Sequence, residues 1–222
     1  MNLQSRYYME SHYNQDYFNW QKKSGQGAVL GSARWFAPHI GDTNTVLDFG
    51  CGGGYLLAAL PGRHKYGVEI NPTARKEAES LGLTVYSHIS DIPQEVRPDV
   101  VISHHALEHV VNPYEVLQGL AGLLRPGGVL VMVVPIDDWR DERRYVPGDI
   151  NQHIYTWTPL LLGNLVTMAG LRVESARVIG YTLIRGTRLF KKMLPSFLFD
   201  FLCRAKAFFG RAHHVYLIAR KV

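Results

Sequence analysis

Between residues 45 and 134 the chain alternates short apolar runs with segments of helical period. Thr45-Val46-Leu47-Asp48-Phe49 reads as a first strand. Residues 65–70, 84–88, 99–103 and 129–134 read as the next four, the last almost wholly apolar and stopped at Pro135. Between them, Tyr55 to Leu60, Pro72 to Leu81 and Pro113 to Leu124 carry helical patterns, two of them with proline at the start, where its missing N–H costs nothing. Thr158 to Gly170 predicts a further helix, with Thr158 as cap, followed by strands at 172–179 and 214–219. Near-continuous apolar strands separated by helices imply a parallel sheet covered on both faces. Right-handed crossovers restrict it to a doubly wound α/β arrangement.

Ahead of this core, residues 1–44 are rich in aromatics, and the pattern predicts helices at about 13–23 and 25–38. Tyr13, Tyr17 and Trp20 recur at helical spacing, which suits either a lid over a site or plain packing on the sheet. The expected organisation is an N-terminal helical lid or cap over 1–44 and one α/β domain over 45–222.

Length and composition fit that plan. A chain of 222 residues, 46% hydrophobic and 19% charged, builds one sizeable core and is no disordered tail. Two cysteines, Cys51 and Cys203, exclude a disulfide-stapled scaffold. No secretory leader pattern and no run long enough for a membrane span is visible, so a cytoplasmic protein, at most peripheral to a membrane, is expected.

The chemistry concentrates where the first strand ends. Gly50, Gly52 and Gly54 follow it immediately, and such loops lie at the carboxyl edge where open α/β sheets bind ligands. The dinucleotide fingerprint needs a sixth-position glycine, but Tyr55 stands there, and no Gly-Lys-Ser/Thr follows. Glu69, ending the second strand, is placed to accept hydrogen bonds from both hydroxyls of a ribose.

Val46-Leu47-Asp48-Phe49-Gly50-Cys51-Gly52-Gly53-Gly54 resembles the first motif of the class I S-adenosylmethionine-dependent methyltransferases. Gly67-Val68-Glu69-Ile70 is similar to their second motif. Ser103 to Val110 with Asn112-Pro113 resembles their fourth-strand motif, and Leu123 to Gly128 the turn before their fifth strand. The resemblance covers about 45–180 and the last strand. It implies a Rossmann-like, seven-stranded, mostly parallel sheet in the order 3-2-1-4-5-7-6, with strand 7 antiparallel. It also implies S-adenosyl-L-methionine as cofactor and S-adenosyl-L-homocysteine as product. Gly50, Cys51, Gly52 and Gly54 would then lie along the methionine part, with Asp48 orienting the loop and approaching the methionine amino end. Glu69 and Ile70 would meet the ribose. Asn71 would flank the adenine, and Asp91 would face its amino group with Ile89 or Ile92 against the ring.

Methyl transfer from a sulfonium is an in-line displacement, and a hydroxyl acceptor benefits from a base that titrates near neutrality. Histidine fits. His104 and His105 end the fourth strand, and a period of two sends one ring toward the crevice and one away. His105 is the candidate base and His104 the cofactor-side residue. His153, in the loop before the sixth helix segment, is the second candidate base. His109 reads as structural and His213-His214 as an edge feature. No metal site is expected, because His105 and His109 lack an evident third ligand. Because the candidate bases are histidines, an oxygen acceptor is expected, with nitrogen as the near competitor. The Asn/Asp-Pro-Pro-Tyr motif of amino-methylating enzymes is absent after the fourth strand, which argues against exocyclic amines of bases.

The stretch 181–212 is long for a connection between strands six and seven. Arg185, Arg188, Lys191, Lys192, Arg204, Lys206 and Arg211 face a single acid, Asp200, so this stretch outweighs the net +5 of the whole chain. Interleaved phenylalanines and leucines suit a dimer surface, a lid, or a peripheral membrane contact serving a small or lipid-linked substrate. Nucleic acid is the weaker fit, since the remainder is near neutral. A protein that binds the cofactor without turning it over, or an RNA or protein methyltransferase using the basic stretch, are the alternative functions.

Overall fold

The computed structural model describes residues 29, 31–138, 140, 142–147, 149–181 and 194–222. The helix expected at 13–23 lies outside these residues.

Seven strands form one sheet: β1 (Thr45–Phe49), β2 (His64–Val68), β3 (Thr84–Tyr86), β4 (Val100–His104), β5 (Val129–Ile136), β6 (Leu171–Gly180) and β7 (His213–Lys221). Their order is β3-β2-β1-β4-β5-β7-β6, and β7 alone runs antiparallel to its neighbours β5 and β6. This is the expected topology. The helices are α1 (31–36), α2 (Tyr55–Ala59), α3 (Pro72–Ser80), α4 (Pro113–Leu123), α5 (Pro159–Met168) and α6 (Ser196–Phe209).

Two apolar layers sandwich the sheet. Leu130, Met132 and Val134 of β5 pack with Leu117, Leu120 and Leu162 of α4 and α5. The alternate residues Val131 and Val133 pack on the other face with Phe36, Leu57 and Ala78 of α1, α2 and α3. A strand buried on both faces is apolar at every position, which explains the unbroken run in β5. Proline did not stop that strand. β4 has already ended at His104 opposite Val133, so Pro135 has no ladder to break on that edge and is paired opposite His214 by β7. The helix caps follow the sequence: Asn71 Oδ1 accepts from Thr73 N at 2.9 Å, and Thr158 Oγ1 from Leu161 N at 3.2 Å.

Candidate active site

The β1–α2 loop is held as a compact turn under the carboxyl edge of the sheet. Gly50, Gly52 and Gly54 have φ of 75°, 54° and 75°, which glycine adopts without strain. Gly50 N and Cys51 N both donate to Val68 O, at 2.9 and 3.1 Å. A Cβ on Gly50 would stand 2.3 Å from Ala106 Cβ, so the loop touches the turn that follows β4. Cys51 points inward. Its thiol fills a notch left by Gly67, where a Cβ would lie 2.5 Å from Cys51 Sγ. Burial, with Asp48 and Glu69 close by, pushes this thiol well above its ordinary pKa, so it is an inert packing group.

Glu69 binds the loop from the next strand. Its carboxylate accepts from Gly52 N and from Asn71 N, each at 2.8 Å. Arg75 Nη1 donates to Glu69 O at 2.9 Å and Ile70 O at 2.8 Å, fixing the end of β2. Burial raises the Glu69 pKa, against the lowering effect of those backbone donors. A carboxylate offers about four acceptor sites, so room for ligand hydroxyls remains. Asp48 is buried beneath the loop, its Oδ1 has no hydrogen-bond partner, and burial followed by the Glu69 charge raises it to about 8. An orphaned buried carboxyl oxygen below a glycine turn fits the cationic amino end of an amino-acid ligand.

Asn71 and Asp91 are committed locally. Asn71 is buried as the cap of α3. Asp91 closes the 3₁₀ turn Ile89–Asp91. Partial burial pulls its pKa up, but hydrogen bonds from Ser87 Oγ at 2.8 Å and His88 N at 3.0 Å leave it below the ordinary carboxylate range. Ile92 is sealed in the core, whereas Ile89 is partly exposed.

The alternation expected for His104 and His105 does not hold. His105 takes φ of 53°, and its ring stacks on His104 with centroids 4.3 Å and planes 16° apart. His105 N is held by Val133 O at 2.9 Å, which lets the residue leave the pleat while the chain stays on the sheet. His104 meets Ser32 Oγ at 3.2 Å and the edge of Phe36. His105 Nε2 lies 3.1 Å from His214 Nδ1, so His214 belongs to the site and is no mere edge residue. Burial, then the neighbouring imidazoles, push His105 far below its ordinary pKa, and His104 falls to about 4. Both rings are neutral at physiological pH, and His105 is a weak base rather than one tuned to neutrality.

His153 is set differently. Its Nδ1 lies 2.9 Å from Asp137 Oδ2. That bond raises the His153 pKa, against partial burial, with the Asp137 charge adding to the rise. Ile154 N and Tyr155 N donate to Glu108 O at 2.8 and 3.2 Å, which clamps the 153–157 segment onto the 3₁₀ turn Leu107–His109. Asp137 is steadied by its own N–H on Thr156 Oγ1 at 2.9 Å. Glu108 is wholly buried, neither carboxyl oxygen has a hydrogen-bond partner, and burial raises it to about 8. His109 Nε2 is 3.8 Å from Glu108 Oε1, and its ring meets His153 edge-on. Glu108, His109 and His153 bring one ligand atom each within 4.8 Å, a spacing that could hold a cation. The cluster differs from the His105–His109 spacing that the sequence offers for a metal, and no sequence pattern marks Asp137, Glu108 or His214 as site residues. Asp137 carried one usable signal, its position directly beyond β5 at the carboxyl edge.

A methyltransferase-domain family model matches residues 27–176. A ubiquinone biosynthesis O-methyltransferase of Aeromonas salmonicida is 29% identical over 71% of this chain and 75% of its own length. A tRNA U34 carboxymethyltransferase of Methylococcus capsulatus is 31% identical over 72% of this chain, which spans half the length of that relative. Among solved structures, a chain from the complex of the Haloferax volcanii Trm112 methyltransferase activator with a methyltransferase superposes with a TM-score of 0.65. It is 16% identical, over 92% of this chain and 96% of that one. The family match spans the glycine loop, Glu69, His104, His105, His109 and His153, so the chain belongs to the methyltransferase-domain family, as a class I enzyme that uses S-adenosylmethionine.

Proposed function

We propose that this enzyme methylates an oxygen of a small or lipid-linked acceptor, with His153 as general base and Asp137 as the residue that positions it. The observation that carries the reading is the 2.9 Å contact between His153 Nδ1 and Asp137 Oδ2. With Nδ1–H donated to the carboxylate, Nε2 bears the lone pair that takes a proton. S-adenosylmethionine, when bound, supplies an electrophilic methyl on a sulfonium. Gly50, Gly52 and Gly54 let the backbone approach its methionine part, Glu69 accepts from the ribose hydroxyls, and Asp48 lies toward the amino end. His153 removes the acceptor proton as the new O–CH3 bond forms and the S–CH3 bond breaks, leaving S-adenosylhomocysteine and a protonated imidazole. Neutral His104, His105 and His214 wall the crevice without adding positive charge near the sulfonium. The likeness to a ubiquinone biosynthesis O-methyltransferase supports an oxygen acceptor. The likeness to a tRNA-modifying enzyme covers as much of the chain but half of that relative.

The test is methyl transfer from isotopically labelled S-adenosylmethionine to a panel of phenols and catechols, by wild type and His153→Gln. Removal of a general base lowers kcat by about 10²- to 10⁴-fold with cofactor affinity retained. A His153→Gln enzyme of full rate removes the base. The buried Glu108 carboxyl, whose oxygens accept no hydrogen bond, supports a second reading, in which a divalent cation at Glu108, His109 and His153 binds the acceptor oxygen. Activity lost to a chelator and restored by the metal supports that reading. Indifference to the chelator removes it.

A further inference from the structure

α6 is apolar on two opposite sides. Phe199, Cys203 and Ala207, spaced by four, are buried against the domain. Asp200 ties the same side down, pairing with Arg34 Nη2 at 2.9 Å and accepting from Tyr181 Oη at 3.3 Å. The outward side carries Phe197, Phe201, Phe208 and Phe209, which are 74%, 65%, 70% and 82% exposed, and Leu202 at 37%. At 3.6 residues per turn these, with Leu198 and Ala205, fill an arc of roughly 140° that contains no charge. Arg204 borders one edge of that arc and Lys206 the other, both exposed. Four exposed phenylalanines on a single helix are far from the scattered apolar residues of an ordinary surface.

We propose that this face of α6 docks in the headgroup region of an anionic lipid bilayer. No described helix is long and apolar enough to cross a membrane, so the helix would lie in the interfacial plane. Phenylalanine rings at that depth bury apolar area, while Arg204, at one border of the arc, extends its guanidinium to the lipid phosphates. Charge decides between this occupant and a second copy of the chain. Pairing two such faces would leave the exposed Arg204 of each copy with no acid on the outward arc to meet it. Anionic lipid supplies the complementary charge. The helix also leads straight into the crevice. Arg211 Nη1 is 3.7 Å from Asp138 Oδ2, and β7 begins at His213 and His214, beside His105. A bilayer under α6 would thus lie near the crevice, where a lipid-borne acceptor could enter. The docking itself does not depend on the acceptor proposed above.

The experiment is co-sedimentation of the full chain with vesicles of phosphatidylcholine mixed with phosphatidylglycerol, against phosphatidylcholine alone, with no cofactor present. Binding is expected to the anionic vesicles only and to weaken as salt is raised. Phe197, Phe201, Phe208 and Phe209, all changed to Ser, should reduce it about tenfold or more, with thermal unfolding preserved because these side chains are exposed. Arg204→Glu with Lys206→Glu should reduce it without touching a phenylalanine. Wild-type protein left in the supernatant, or variants that sediment as the wild type does, overturn the proposal. A dimer seen by light scattering that the serine variant splits, with no vesicle binding, assigns the face to self-association and overturns it too. Because no cofactor or acceptor enters the assay, a failure here is separate from a failure of the O-methylation reading.

Discussion

His153 Nδ1 lies 2.9 Å from Asp137 Oδ2, and that contact gives His153 a raised pKa in a crevice where His104, His105 and His214 are all lowered. The difference is one of partners. His153 has a hydrogen-bonded carboxylate, whereas burial and neighbouring imidazoles lower the other three. Two kinds of histidine therefore share the site, one raised by a carboxylate partner and three lowered by burial.

A base must be unprotonated to act, so kcat/KM should rise with pH and level off above a pKa higher than the ordinary 6.5 of histidine. Asp137→Asn removes the largest cause of the raised value. The acidic limb of the profile should then move to lower pH while the plateau rate falls. A pH–rate profile of wild type and Asp137→Asn, on any acceptor that turns over, checks both parts. An unmoved limb would mean that His153 does not set it.

Glu108 predicts a pH-dependent stability of definite sign. Its carboxyl is raised by burial from 4.5 to about 8, so the fold favours the protonated form. The fold loses stability through this group as pH climbs from about 4.5 to about 8. Glu108→Gln, which mimics the protonated acid, should melt with wild type at pH 5 and above it at pH 8. Thermal melts at the two values decide. A variant less stable than wild type at pH 8 would show that the charged carboxylate has a partner, such as a bound cation.

The notch at Gly67 predicts a coupled pair. Gly67→Ala places a methyl 2.5 Å from Cys51 Sγ and should cost about 1–3 kcal/mol. Cys51→Ala removes the sulfur and should recover part of that loss in the double variant. Denaturant unfolding of the four proteins gives the coupling. Simple additivity would mean that the strand moves aside instead.

The centre of the sheet was legible because β5 is apolar at every position and β1 and β4 nearly so, and Thr158 and Pro72 punctuate helices through local hydrogen-bonding rules. The glycine loop and Glu69 were legible for the same reason: one turn and one strand end, joined by adjacent pairing of β1 and β2. The histidines were not. His105 leaves the pleat because Val133 O holds its N–H while Ala106 meets Gly50, and both are tertiary contacts. His153 reaches Asp137 because Glu108 O clamps Ile154 and Tyr155, three segments with no shared sequence pattern. Pro135 misled for a related reason, since a proline ends a strand only where a neighbour needs its N–H.

Glu69 joins the glycine loop to the end of β2 and is the proposed acceptor for the ribose, so its replacement tests the cofactor crevice most directly. Glu69→Gln keeps a carbonyl acceptor but removes the charge that Gly52 N and Asn71 N share and that the ribose hydroxyls would share in the proposed site. Isothermal titration of wild type and Glu69→Gln with S-adenosylmethionine and S-adenosylhomocysteine, with a nicotinamide dinucleotide as control, is the measurement. Wild type should bind both sulfur nucleosides and not the dinucleotide, and the variant should bind them about tenfold or more weakly while melting as a folded protein. Equal affinity in the variant would place the ribose elsewhere and contradict the site described for it.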